Sequence, residues 1–518
     1  MITNNLSNHL ENKLPPQEDI EPARKRVLFI IKNERNQRYG ILCLSAFLKK
    51  KDHVLDYVYA NNNDNDLPKI LEKIKNFRPD YVAISAMSGE IIFFLSMLKR
   101  IKEVYPEQYV IMGGPHTTYD KTIIENPLID AICSGEGEEA FAEFLEKHPH
   151  GDYTSVKNFS FKLEDGTVKN NPLRPLVNIN NLPIPDYDFF PRQTGDTIFT
   201  FASRNCVYRC TYCFNRDYAD NYRSVGVKQI YSVMDVDNFI KMLKHLKKKY
   251  EGKFKYFYFN DDVFPIKKYW IEEFANRYPK EVGVPFHVGL NPVMIRENII
   301  GLIRKAGCQS MNFAIESGDE RIRNEVMLRP KVSNEQMIEL SEIVRKHGIY
   351  IFTQNIMMSP TETLEEAKRT VELNIACKVN SASTSKFQPY PGTNMAKFAF
   401  DKGLVKKGNI LEMLPENYHH ESILIFDKKD EVGMSNLVKL FSFTVKFPIM
   451  KRLVYFLIRF EKLGKFFDRV DDQFWMTYTH RPRDTINGNN FFVELKLLLT
   501  FIKRLIFPLS KEQFIHYG

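Results

Sequence analysis

A chain of 518 residues is too long for one hydrophobic core and implies two or three domains. Its 43% hydrophobic content excludes a disordered chain, and its net charge of +9 sits largely in solvated lysine clusters such as Lys247-Lys248-Lys249, so no nucleic-acid partner is expected. An apolar leader and an uncharged apolar run of about 18 residues are both missing, which predicts a cytoplasmic protein with no spanning helix.

Residues 1–24 are polar and aperiodic and predict a disordered arm. From Arg26-Val-Leu-Phe-Ile-Ile31, a run suited to a buried parallel strand, strand and helix patterns alternate to about residue 150. Strands are predicted over 26–31, 54–60, 81–85, 109–112 and 129–133, and helices over 40–50, 67–77, 91–104 and 138–147. Five strands with intervening helices predict a doubly wound, Rossmann-like domain over 25–150, whose ligands bind past the carboxyl ends of the strands. Ser85, Gly113-Gly114-Pro115-His116 and Ser134-Gly135-Glu136-Gly137-Glu138 stand at such ends. Each alone reads as a structural turn, although glycines also let backbone amides approach a ligand closely. Residues 151–195 read as a hairpin around Asp165-Gly166, followed by a proline-rich linker, Leu182 to Pro191.

Alternation resumes over 196–400, with strands predicted at 197–203, 254–259, 285–290, 309–315, 349–357 and 382–389. Six such units suit a partial (β/α)6 barrel, with its chemistry at the strand carboxyl ends. The first strand leads into Ser203-Arg-Asn-Cys206-Val-Tyr-Arg-Cys210-Thr-Tyr212-Cys213, three thiols at C-x3-C-x2-C spacing. Thiolates are soft ligands for iron–sulfur clusters or zinc. Three can hold three irons of a [4Fe–4S] cube and leave the fourth open, whereas zinc needs a fourth ligand that does not follow closely. Cys43, Cys133, Cys308 and Cys377 read as reduced core residues. Asp261-Asp262, Glu316-Ser-Gly318, Glu362 and Gln388-Pro-Tyr-Pro-Gly392 end later strands; each is either a ligand site or a capping turn. Residues 401–518 predict a helical region. Phe491–Leu509 is amphipathic and either packs over the barrel mouth or lies at a membrane surface; Trp475 and His480–Arg483 are anion-contact candidates by type.

The cysteine spacing with Tyr212 resembles the radical S-adenosylmethionine (SAM) family. The glycine turns ahead of it resemble the cobalamin-binding domain of its B12-dependent members. The turns Phe259-Asn-Asp-Asp-Val-Phe264, Glu316-Ser-Gly318 and Pro389-Tyr-Pro-Gly-Thr393 look like that group's, while Met358-Ser359 stand where it usually has glycine, and the mutase-type Asp-x-His-x-x-Gly signature is missing. The resemblance implies a cluster held by Cys206, Cys210 and Cys213, and SAM held by Tyr212, Asp261, Asp262, Glu316 and Gln388. It implies cobalamin near Gly40, Ser85, Gly113, Gly114, His116, Gly135, Glu136 and Gly137. It further implies methylation of an unactivated carbon in a small-molecule or lipid-like substrate, with flavodoxin or ferredoxin as electron donor. A cyclase or rearrangement enzyme of the same type, and a cluster-bearing sensor, are the alternatives.

Overall fold

The computed structural model describes residues 24–32, 38–61, 63–189, 196–408, 410–414, 421–479 and 491–507. The predicted arm, the end of the proline-rich linker and the His480–Arg483 cluster lie outside them.

The first sheet is built on β1 (Arg26–Lys32), α1 (Tyr39–Lys49), β2 (Val54–Ala60), α2 (Asn63–Phe77), β3 (Tyr81–Ser85), α3 (Ile91–Val104), β4 (Tyr109–Gly113), α4 (Pro115–Tyr119), β5 (Ala131–Cys133) and α5 (Glu138–Lys147). β1 through β5 are parallel, in the order β2-β1-β3-β4-β5. Such strands are buried on both faces, which is why Val27-Leu-Phe-Ile-Ile31 is apolar without alternation. The hairpin β6 (Phe159–Lys162) and β7 (Val168–Asn170) reads in the sequence as a connector. In the structure it pairs antiparallel with β5 and forms the edge of this sheet. Strand order reverses at β1 and β3, so the crevice for a ligand lies above their carboxyl ends.

The second sheet begins at β8 (Thr197–Thr200). A two-residue ribbon, β9 (Ser203–Arg204) with β10 (Ser232–Val233), stands beside it, with α6 (Phe214–Ser224) between the ribbon strands. β11 (Tyr256–Phe259), β12 (Phe286–Leu290), β13 (Cys308–Glu316), β14 (Tyr350–Met357) and β15 (Ser381–Lys386) then join β8 in sequential parallel order. The connecting helices are α7 (Val236–Lys249), α8 (Lys268–Glu281), α9 (Glu297–Ala306), α10 (Asn334–Lys346) and α11 (Leu364–Ala376). Helix starts follow local chemistry: Ser333 with Gln336, and Thr363 with Glu366, form reciprocal capping boxes. The outward strand face is a continuous aliphatic and aromatic core against these helices, giving the α/β half-barrel that the alternation predicts.

α12 (Asn394–Asp401) and the short α13 (Ile410–Met413) lead to α14 (Lys428–Lys446), α15 (Lys451–Leu457), α16 (Gly464–Phe474) and the final helix Phe491–Ile506. Their shared core includes Met357 and Ala382 of the last two strands and Leu364, Ala367 and Val371 of α11. The region therefore flanks the β15 edge of the half-barrel, and the helix Phe491–Ile506 packs on α16.

Candidate active site

The three cysteines leave the carboxyl end of β8 on a loop fixed at both ends. At its start, Asp261 Oδ1 accepts from the N–H groups of Ala202 (2.9 Å) and Ser203 (2.6 Å) and from Ser203 Oγ (2.5 Å). Asn205 takes a left-handed conformation (φ 68°), which turns the chain into the loop. Near its end, Thr211 donates from N to Met327 O (2.9 Å) and from Oγ1 to Val326 O (2.6 Å), and its carbonyl accepts from Met395 N. All three thiols are free. Burial pushes Cys206 up to about 11 and Cys213 up to about 12, so both remain protonated unless a cation replaces the proton. Three soft thiols carried on one anchored loop are a donor set that fits a cluster, each thiolate taking a different iron.

Against this loop stands a buried polar trio. Tyr212 Oη donates to Glu316 Oε1 (2.7 Å), and Arg329 Nη1 donates to Tyr212 Oη (2.7 Å) and to Glu316 Oε1 (3.2 Å). Arg329 Nη2 donates to Ala314 O, and Nη1 lies 4.0 Å from Cys210 Sγ. Burial opposes both charges, but Tyr212, Glu316 and Cys210 together hold the Arg329 guanidinium above its ordinary range, and Arg329 draws the burial-raised Glu316 carboxyl back toward ionisation. Glu316 is itself held at φ 65°, and a Cβ on Gly318 would lie 2.2 Å from the Arg369 carbonyl of α11. The Glu-Ser-Gly turn is thus set by close backbone packing as well as by charge.

Between the two sets of strand ends lies a cavity of about 500 Å³. The first sheet contributes Gly40, Ser85, Gly113, Gly114, Gly135, Glu136 and Gly137, with Phe29, Tyr39 and Cys43; the barrel contributes Ser203, Arg204, Asn205, Phe214, Asn215, Asn260 and Asp262. Gly114 (φ 96°) leaves no room for a side chain, because a Cβ would lie 2.8 Å from Ala86 N. Gly135 (φ 76°) lies beneath Tyr222 of α6, whose Oη also accepts from Glu136 N. The cavity wall is therefore backbone-rich and glycine-turned on one side, a surface onto which a flat cofactor fits. Arg204 ties the two sides, pairing with Glu136 (3.3 Å) and Glu138 (2.7 Å).

Several predicted site residues have other partners. His116 is fully buried and outside the cavity wall: its N–H donates to Ala86 O and its Nδ1 meets Ser88 Oγ, so it supports the turn. Glu136 lines the cavity, but its carboxylate takes Val177 N (2.6 Å) and Arg204. Asp261 faces the loop backbone, and burial raises its carboxyl to about 7; the cavity receives Asp262 instead. Gln388 is buried against Glu421 O (3.4 Å), away from the cavity. Glu362 turns back to accept from Ser359 N, with Met358 at φ 60° where the resemblance expects glycine. The sequence reading missed Arg329 and the pairing of Arg204. Arg329 lies 117 residues from Tyr212, and no local pattern marks it.

Residues 201–373 match the Radical SAM superfamily and residues 35–145 the B12 binding domain. A Pyrococcus horikoshii protein described as an uncharacterized methyltransferase is 27% identical over 405 residues, 76% of this chain and 83% of that protein. The anaerobic magnesium-protoporphyrin IX monomethyl ester cyclase of Rubrivivax gelatinosus is 24% identical over 412 residues, 72% of each chain. Among solved structures, the cobalamin-dependent SAM radical enzyme OxsB with aqua-cobalamin bound shares the fold at a TM-score of 0.65 and 13% identity, over 96% of this chain and 83% of that one. The matched domains and the cavity between them lead to one conclusion: the chain belongs to the B12-binding radical SAM enzymes, whose cofactors are a [4Fe–4S] cluster, SAM and cobalamin.

Proposed function

We propose that this enzyme transfers a methyl group to an unactivated carbon of a small-molecule or lipid-like substrate. The observation that carries the reading is the shared cavity: the glycine-turned ends of the first sheet and the mouth of the half-barrel line the same space. The methyltransferase relative supports the reaction class. When bound, the cluster supplies the electron that cleaves SAM and the corrinoid supplies a methyl-carrying cobalt.

The chain's own residues then have distinct tasks. Cys206, Cys210 and Cys213 would hold the cluster, and the Arg329 guanidinium beside Cys210 favours the anionic sulfur. Glu316, oriented by Tyr212 and Arg329, and Asp262 offer acceptors for the ammonium and ribose groups of SAM. Asp261 is a positioning residue that holds the approach to the cysteine loop. Gly40, Ser85, Gly113, Gly114, Gly135 and Gly137 present the wall for the corrinoid, and Phe29 and Tyr39 keep water from that wall.

The cyclase relative favours a second reading, radical cyclisation without net methyl transfer. Incubating the reconstituted enzyme with methyl-labelled SAM and a metabolite extract separates the two. Label in an extract component, absent with Cys210→Ala, supports methylation; an altered but unlabelled component supports cyclisation.

A further inference from the structure

Among the described residues, two C-terminal segments carry exposed apolar side chains. The helix Phe491–Ile506 packs one face inward through Phe501, with Leu497 and Leu505 beside it. Its opposite face is apolar too: Leu495, Leu499, Ile502 and Ile506 recur at helical spacing and are 39%, 59%, 44% and 65% exposed. A surface helix of a soluble domain has one apolar stripe, and a helix apolar on both faces is ordinarily covered on both. A second exposed set, Ile449, Leu453, Phe456, Phe460 and Phe466, lies on and around α15. These two segments hold about half of the large apolar side chains exposed among the described residues, a concentration that marks an interaction site.

The charges around this surface select its partner. Lys496 and Lys503 stand exposed along the outer stripe of the final helix, and Arg452, Arg459, Lys462 and Lys465 alternate with the apolar residues of the other segment. The exposed acids there, Glu461 and Asp468, already pair with Lys428 and Lys439. A second copy of the chain docked symmetrically would bring these cations face to face. An anionic lipid surface accepts the apolar stripe and the cations together. No helix among the described residues is long and apolar enough to cross a membrane, so the geometry is one of lying on a surface.

We propose that this face docks the enzyme on an anionic phospholipid bilayer, with Leu495, Leu499, Ile502 and Ile506 entering the interface and Lys496 and Lys503 meeting headgroups. The test is co-sedimentation of the full chain with vesicles of phosphatidylcholine alone or with a third phosphatidylglycerol. Partitioning should be roughly tenfold stronger to the anionic vesicles at low salt and weaken in half-molar salt. Leu499→Glu with Ile502→Glu should lower it roughly tenfold while leaving iron uptake and SAM cleavage unchanged. If that pair unfolds the helix, Lys496→Glu with Lys503→Glu gives the same readout without touching the stripe. Absent or charge-independent partitioning would overturn the proposal. So would a lipid-free dimer, by sedimentation velocity, that the Leu499/Ile502 pair dissolves.

Discussion

The two walls of the candidate active-site cavity are built by different physics. On the first sheet, the strand-end turns are shaped by backbone packing: Gly114 against Ala86 and Gly135 beneath Tyr222. Behind the half-barrel wall, position is set by buried charge and hydrogen bonds: Asp261 holds the backbone of the lining residue Ser203, and Arg329 ties Glu316 to Tyr212 against the cysteine loop. Added volume should damage the first wall and leave the second intact, whereas lost charge should do the reverse.

The sharpest break is Cys210→Ala. It should abolish iron–sulfur absorption and 5′-deoxyadenosine formation under dithionite while leaving cobalamin uptake on the opposite wall measurable by its visible spectrum. Next comes Arg329→Met, which leaves the Glu316 carboxylate buried without its partner; about 3–5 kcal/mol of stability should be lost in urea titration. Adding Glu316→Gln should recover part of that loss, because the uncompensated charge is gone. On the glycine wall, Gly114→Ala forces a Cβ onto Ala86 and a side chain into positive φ. We expect a cost on the order of 3 kcal/mol and loss of cobalamin uptake, with iron content unchanged. If iron and cobalt are lost together in either variant, the two walls are not independent and the Arg204 bridge to Glu136 and Glu138 dominates the site.

A further effect concerns pH. Burial lifts the Glu362 carboxyl from its ordinary 4.5 to about 8, so the folded chain keeps that proton longer than the unfolded chain. This contribution to stability is intact below about pH 4.5 and declines as pH rises toward 8, because folding then opposes ionisation. A loss of up to a few kcal/mol is expected across that window, one pKa unit being about 1.4 kcal/mol. Glu362→Gln should flatten the decline in thermal scans at stepped pH.

Much of this fold was legible because its signals are local. The strands Val54–Ala60 and Tyr81–Ser85 and the helices Ile91–Val104 and Glu138–Lys147 fall where periodicity and turn residues place them. The predicted strand 197–203 breaks after Thr200 because Asp261, 59 residues away from Ala202, captures the amides that would extend it. The strand predicted to run to Pro389 ends at Lys386, with one further ladder bond from Phe387 N to Met357 O before the proline-rich turn. The site divides the same way. Three cysteines within eight residues declare their chemistry, but which of two adjacent aspartates meets the cavity depends on distant backbone. The neighbour of Cys210 is an arginine 119 residues later in the chain. Charge pairs at such separations leave no periodic trace in sequence.

The account stands most directly on the metal content of anaerobically purified, reconstituted protein. It predicts about four irons and one cobalt per chain, with Cys210→Ala removing the iron and Gly114→Ala removing the cobalt. A full complement of iron with no cobalt uptake by the unaltered chain would contradict it.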